Sequence, residues 1–403
     1  MAPIMKTLFR IPLAAALLVT GGVVLAGDVN PPVGPITPTG VTLAEIRASL
    51  DAIEDQALDA ADTLVEIERP TPIEDLPSAL GVDYVISQPG TYVLSGNHYG
   101  DGANTAIEVR VSGVVIDLRG FAIIGGGFFP GKGAYAIDTI GGVNNVTIFN
   151  GSIADFGDSS GGAIRLNGEG NVIVDVRVAS SQGSGIRTGG NSTVLRSVVY
   201  NSASGISAGF ASVIRDCAVQ SVAGVGYTLD LGCVVENCTA DQCGGDGYSA
   251  SDAVVIEGCA SSRNGGDGYD LFGAVVRQCT AYQNAGAGFR AFGSSAFACS
   301  ASYNTGIGFD LSSGNHVTRC SATSNNVGGF RLTGIRNHVS SNYSGQHSTG
   351  FGFQVLPAAT DCFVTANFAT ANSSYFDYQT TNGILGTRRV NLTNATIWDN
   401  FSN

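Results

Sequence analysis

Lysine is almost missing from this chain. Only Lys6 and Lys132 occur among 403 residues, charged residues make up 13%, and the formal charge at pH 7 is −13. Nucleic acids and anionic lipids are held by clustered positive charge, so neither is an expected partner. Polyanionic polysaccharides are disfavoured on the same ground unless calcium bridges the charges. Long apolar runs are missing beyond Leu25, so no later segment is expected to cross a membrane. Histidine occurs four times and tryptophan once. The nine cysteines lack the closely spaced pairs that build structural zinc sites. Glycine, by contrast, is plentiful: 56 residues with no three-residue period, which excludes a collagen-like chain.

The first residues suggest export. Lys6 and Arg10 precede an apolar run from Ile11 to Leu25, and Val24-Leu25-Ala26 resembles a small-residue cleavage site. Residues 1–26 read as a signal peptide; a membrane anchor is the alternative, and the run is short for one. Cleavage leaves 20 − 2 = 18 basic against 33 acidic residues. The expected location is secreted, periplasmic or cell surface, with no membrane insertion after cleavage. Residues 27–41 form a Pro/Gly-rich linker, and 70–81 form a second one.

Between them, residues 42–69 carry an amphipathic helical pattern. Leu43, Ile46, Leu50, Ile53, Ala57, Ala60, Leu64 and Ile67 alternate steps of three and four. Thr42 with Glu45 fits a capping box, and Pro70 ends the run. Two readings stand: a helix that packs on the next domain, or a coiled coil that makes a homo-oligomer through residues 42–68. A helix of this length spans ~40 Å, which is long for an end plug.

From residue 82 to 378 the chain repeats. Glycine followed by an apolar residue recurs at Ile164, Ile186, Ile206, Tyr227, Tyr248, Tyr269, Phe289, Phe309, Phe330 and Phe353, in steps of 20 to 23. A cysteine column runs Cys217, Cys238, Cys259, Cys279, Cys299 and Cys320, then Asn342 and Cys362. Five residues after these lie Cys243, Asn264, Asn284, Asn304, Asn325, His347 and Asn367. Helical repeats would not tolerate so much glycine, whereas short strands between tight turns would. The expectation is an all-β parallel solenoid of about 12 coils stacked ~4.8 Å apart, with equivalent side chains in ladders.

Three stretches carry a family resemblance. They are "TPIEDLP…YVISQPGTYVLSGN" at the entry, "AIEVRVSGVVIDLRGFAIIGG" as a first full coil, and the short-coil array with its Cys and Asn columns. With the closing "TIWDNFSN", the sequence resembles secreted bacterial right-handed parallel β-helix proteins of the pectin-lyase-like superfamily. The resemblance covers nearly all of the chain beyond residue 70 and implies that 379–403 is a tail packing on the β-helix. It is specific for fold and weak for function, because that fold hosts lyases, hydrolases, epimerases and adhesins.

The cysteine column reads as an inward ladder of small apolar groups. Cys233 and Cys243 fall outside it, and a disulfide between them is left open. His316 and His338 occupy equivalent slots and offer a weak transition-metal pair without a third ligand. The motif "GGDGY" occurs at 244–248 and 265–269, and the second copy continues as "GGDGYDLFG". It matches a calcium-binding nonapeptide pattern, but that pattern works only in tandem nonapeptides. Asp246 and Asp267 thus remain weak calcium candidates, and no cofactor beyond calcium is suggested.

Strand alternation places an outward column beside the inward rings: Glu108, Asp138, Arg165, Arg187, Ser207, Thr228, Ser249, Asp270, Arg290, Asp310 and Arg331. Phe272 and Phe292 lie two residues further on. Asp270, Phe272, Arg290, Phe292, Asp310 and Arg331 therefore form a candidate glycan face, with aromatic rings for sugar faces and charges for hydroxyls. A solvated ladder of alternating charges is the plainer reading. The resemblance also implies that a basic residue serves as base in lyases and clustered aspartates as acid and base in hydrolases. Asp246, Asp267, Asp270 and Arg290 are weak catalytic candidates on that basis. Two excursions, 125–134 with Phe128 and Phe129, and 343–350 displaying His347, stand out among minimal coils.

These observations predict an exported rod with a structural, adhesive or glycan-binding role and a polysaccharide or cell-surface glycan as partner. A polysaccharide lyase, hydrolase or epimerase is the first alternative, and a periplasmic metal-handling protein the second.

Overall fold

The computed structural model describes residues 70–100, 103–126, 134–157, 161–347 and 350–379, and the backbone of 383–385, 388–389 and 400–402. The signal peptide, the linker at 27–41, the helix at 42–69, Phe128 and Phe129 lie outside the described residues.

The chain winds as a parallel β-helix. One face is a 14-stranded parallel sheet running from Val82–Ile86 to Ser374–Tyr378, one strand per coil. The other two faces form a 28-stranded sheet, continuous because Val146–Ala154 and Val172–Ala179 run through both faces. Fourteen coils exceed the expected 12, because coils outside 164–353 lack the Gly-apolar anchor that marks the rest. Backbone strands at 383–385 and 400–402 add to the C-terminal end by pairing with Cys362–Thr365 and Phe368–Thr370.

From Gly170 to Ala371 each coil turns three corners with the same device. A residue at positive φ is followed by a small polar or apolar residue that points inward. Examples are Asn237 at 53° before Cys238, Arg263 at 54° before Asn264, and Gly273 at 62° before Ala274. The inward polar group then satisfies backbone on the coil below. Asn284 Oδ1 accepts from both the N–H and the side-chain amide of Asn264 at 3.1 and 2.9 Å, and Asn304 and Asn325 repeat the pattern. In the cysteine column sulfur replaces the amide oxygen, so the Cys217 N–H meets Cys238 Sγ at 3.4 Å. All nine cysteines, Cys233 and Cys243 included, are buried free thiols.

The columns shift near the end. Asn342 is followed by Asn367, and His347 by Asn372. Cys362 belongs instead to the corner column of Asn337, since His338 pairs with Phe363. Fixed spacing put Cys362 and Asn367 one column out. The extra residues of the last large turn, around Leu356–Thr360, lengthen that coil.

The interior is a stack of rings. From Tyr227 to Phe353 adjacent centroids lie 4.6–4.8 Å apart and nearly parallel. Opposite them the packing shrinks as the rings enlarge: Val199 and Val219 give way to Ala240, Ala281, Ala301 and Ala322. A volume-matched exchange of this kind keeps native packing density. The glycine before each ring is forced by the same crowding. A Cβ on Gly268 would stand 2.5 Å from Gly288 O and 2.9 Å from Ala281 Cβ.

Candidate functional site

The outward column of the 14-stranded sheet pairs rung by rung as expected from Glu108 to Arg331, and continues through Gln354 and Asp377. Its chemistry changes along the rod. Near the N-terminal end Asp138 is only 5% exposed and holds Arg165 through two hydrogen bonds of 2.7 and 2.5 Å. Arg165 also lies over the Tyr135 ring at 4.2 Å. Towards the other end Arg331 binds Asp310 in the same two-pronged way, at 3.0 and 2.7 Å.

Asp246, Asp267, Asp270 and Arg290 meet between these ends, in an arrangement the alternation of signs did not foretell. Arg290 reaches past its strand neighbours to Asp267 Oδ2 at 3.1 Å. Asp267, 4% exposed, accepts the Ala287 N–H at 2.6 Å through its other oxygen. Asp246 accepts the Asp267 N–H at 2.6 Å. This explains the repeated "GGDGY": each carboxylate lies on the glycine of the next coil. A Cβ on Gly266 or Gly286 would stand 2.1 or 2.2 Å from the Oδ1 of Asp246 or Asp267. Burial raises the Asp267 pKa above the ordinary carboxylate value, with Ala287 N–H and Arg290 opposing it. The Asp270 pKa is raised too, by burial and by Asp246, against the pull of Arg290.

Phe272 and Phe292 do not turn into the core. They are 55% and 46% exposed and stack 5.0 Å apart at 6°, forming a flat apolar platform. A shallow hollow of about 230 Å³ at the opposite, turn edge of the same face gathers Asp267, Arg290, Asp310 and Arg331.

The larger feature lies on the N-terminal side of that face. A groove of about 500 Å³ runs along the sheet from Arg187 to Phe272. Ser207, Thr228 and Ser249 line it, with Asp230, Ser251 and Asp270 beside them. The site inferred from charge and aromatics covers only the end of this groove. Its signal was present in the outward column as a run of short hydroxyl side chains between Arg187 and Asp270. Short rungs between long ones leave a trough.

His316 and His338 stack with centroids 4.7 Å apart at 28°, and Phe363 closes edge-on against His338. Burial and the His316 neighbour lower the His338 pKa. Imidazole lone pairs lie in the ring plane, so stacked rings aim them side by side rather than at one point. His347 is not displayed on its excursion. It is fully buried in the asparagine column, where Nδ1 lies 3.0 Å from the Asn325 N–H and Nε2 3.0 Å from Ser344 Oγ. Among the described residues no group of three or more His, Cys, Asp or Glu is arranged to hold a metal ion, and Asp246 and Asp267 each already spend an oxygen on the adjoining coil.

The family model for a right handed beta helix region matches residues 162–298, which is the short-coil array. The match agrees with the sheet topology, which is that of a parallel β-helix. Several solved structures are similar to the chain at low identity. The A-module of a mannuronan C-5 epimerase from Azotobacter vinelandii is 14% identical, with 79% of this chain and all of that one covered, at a TM-score of 0.47. The catalytic domain of a GH87 alpha-1,3-glucanase, solved with tetrasaccharides, is 11% identical over 76% and 70% of the two chains, at 0.44. A tailspike protein of E. coli bacteriophage HK620, solved with a pentasaccharide, is 14% identical over 93% and 65%, at 0.37. No curated protein matches the chain.

Proposed function

We propose that this chain is an exported glycan-binding β-helix whose ligand lies along the outward face of the 14-stranded sheet. One observation carries the reading: the groove from Arg187 to Phe272, floored by hydroxyl side chains and ended by the exposed Phe272–Phe292 platform. Sugars present apolar ring faces and hydroxyl edges, and this surface offers a partner for each. Five rungs, four spacings of ~4.8 Å, give a track of ~19 Å, enough for a short run of sugar rings. The open, shallow form suits holding a chain more than excluding water from a reacting bond.

A catalytic reading keeps one supporting observation. Asp267 and Asp270 have raised pKa values next to Arg290, the pattern from which a general acid is built. One experiment weighs both readings. Purified mature protein is incubated with soluble and insoluble polysaccharides, with calcium and with chelator, and scored for depletion onto the glycan and for released products. Depletion that is lost in Phe272→Ala, without product release, is the expected result. Products that disappear in Asp270→Asn would replace binding by catalysis.

A further inference from the structure

The groove is chemically lopsided. At one end Arg187 is exposed and has no ion-pair or hydrogen-bond partner among the described residues. Its neighbour on the adjoining rung is Arg165, so two arginines face each other across adjacent strands. Asp138 neutralises Arg165 and leaves Arg187 with nothing. Like charges on facing rungs are unfavourable, and the exposed one is left open to solvent or to a ligand. In a chain of net charge −13, carboxylates are not in short supply, yet none has been placed here.

Thr188 lines the same end. It is 5% exposed, and its hydroxyl is the one buried side-chain oxygen or nitrogen without a hydrogen-bond partner among the described residues. Equivalent positions on neighbouring coils are Leu166 and Ala208, which need no partner. That hydroxyl points into the coil and is shut from solvent, so a ligand in the groove meets Arg187 and not Thr188.

The other end has the opposite character. Asp270 faces the groove next to Asp246, and the nearby Arg290 is committed to Asp267. Asp230 adds another carboxylate to the wall. Between the two ends Ser207, Thr228 and Ser249 offer uncharged hydroxyls, with Asp230 at the edge of the Thr228 coil.

We infer that the groove reads the position of charge on its ligand. It takes a glycan segment with one acidic sugar, whose carboxylate sits on Arg187, and with neutral rings running towards Asp270 and Phe272. A chain anionic along its whole length meets Asp230 and Asp270 and is turned away. This inference rests on the glycan-binding reading of the same groove.

The test uses the whole mature protein and three tetrasaccharides: a neutral one, the same backbone ended by a single uronate, and one made of uronates throughout. Affinities are measured by calorimetry in low and in high salt. The singly acidic probe is expected to bind about tenfold more tightly than the neutral one, and the all-uronate probe more weakly than either. Arg187→Met is expected to abolish the difference between the singly acidic and the neutral probe when both are measured on the variant. High salt should remove the same advantage, because the ion pair is exposed to screening. Equal affinity for the first two probes, tightest binding of the all-uronate probe, or a preference that survives Arg187→Met would each overturn the inference. The groove reading fails separately, and this inference with it, if no probe binds or if Phe272→Ala leaves neutral-probe affinity intact. Matching thermal midpoints for wild type and Arg187→Met confirm that the exposed substitution has not unfolded the chain.

Discussion

Thr188 and Asp267 are both buried polar side chains, and they differ in how they are satisfied. Asp267 uses one oxygen for the Ala287 N–H and the other for Arg290. Asp267→Ala leaves that amide unsatisfied, so a loss of about 1–3 kcal/mol is expected in denaturant unfolding, with Asp267→Asn milder because it keeps an acceptor. Thr188 has no partner, so the near-isosteric Thr188→Val should stabilise the fold by about 1 kcal/mol. The two raised carboxyls also set a pH dependence. A group whose folded pKa lies above its unfolded value takes up its proton first in the folded state. The contribution of Asp267 and Asp270 therefore improves as pH falls through their raised folded values towards the ordinary carboxylate value, and worsens on the way back up. Unfolding curves across that acid window should show the gain in wild type and its loss in the Asp267→Asn, Asp270→Asn double variant. The sequence placed Asp246, Asp267, Asp270 and Arg290 on one face, because strand alternation fixes which way a residue points. It could not say that Arg290 would choose Asp267 over its strand neighbours Asp270 and Asp310, since that choice depends on side-chain reach across the turn. Thr188 gave no signal at all, being one hydroxyl in a column of Leu and Ala.

At the level of the coil, stability comes from copies of one element touching each other. Tyr248 stacks between Tyr227 and Tyr269 at 4.7 and 4.8 Å and donates its hydroxyl to Ala260 O at 3.3 Å. Tyr248→Ala should cost about 3–5 kcal/mol in chemical denaturation, whereas Tyr248→Phe removes only a long hydrogen bond and should cost about 1 kcal/mol or less. The outward register was legible from Glu108 to Arg331 because a period of two locked to an inward apolar anchor in each coil leaves no freedom. Cys362 and Asn367 were misassigned because the lengthened turn before them breaks that period. The groove was overlooked for a simpler reason: charge and aromatics attract notice, while Ser207, Thr228 and Ser249 matter by being short.

For the whole molecule, each coil contacts chiefly the coil before and the coil after, so unfolding follows nearest-neighbour rules. A severe substitution in the middle, such as Tyr248→Ala, is expected to separate the two halves, giving two transitions where the wild type gives one, as read by hydrogen exchange along the rod. The burial of the thiols has a consequence at this same scale. Burial pushes the Cys243 thiol up to about 12, far from the reactive thiolate, and its eight companions are equally shut in. Native protein should therefore resist iodoacetamide, which labels all nine thiols once denaturant is added. When the chain opens in air, those nine sulfurs become interchangeable partners, and any cross-link made then ties together coils that must lie flat on one another. Folding would run freely in both directions under reducing conditions and in one direction only without them, so the molecule's durability outside a reducing medium would rest on never letting go.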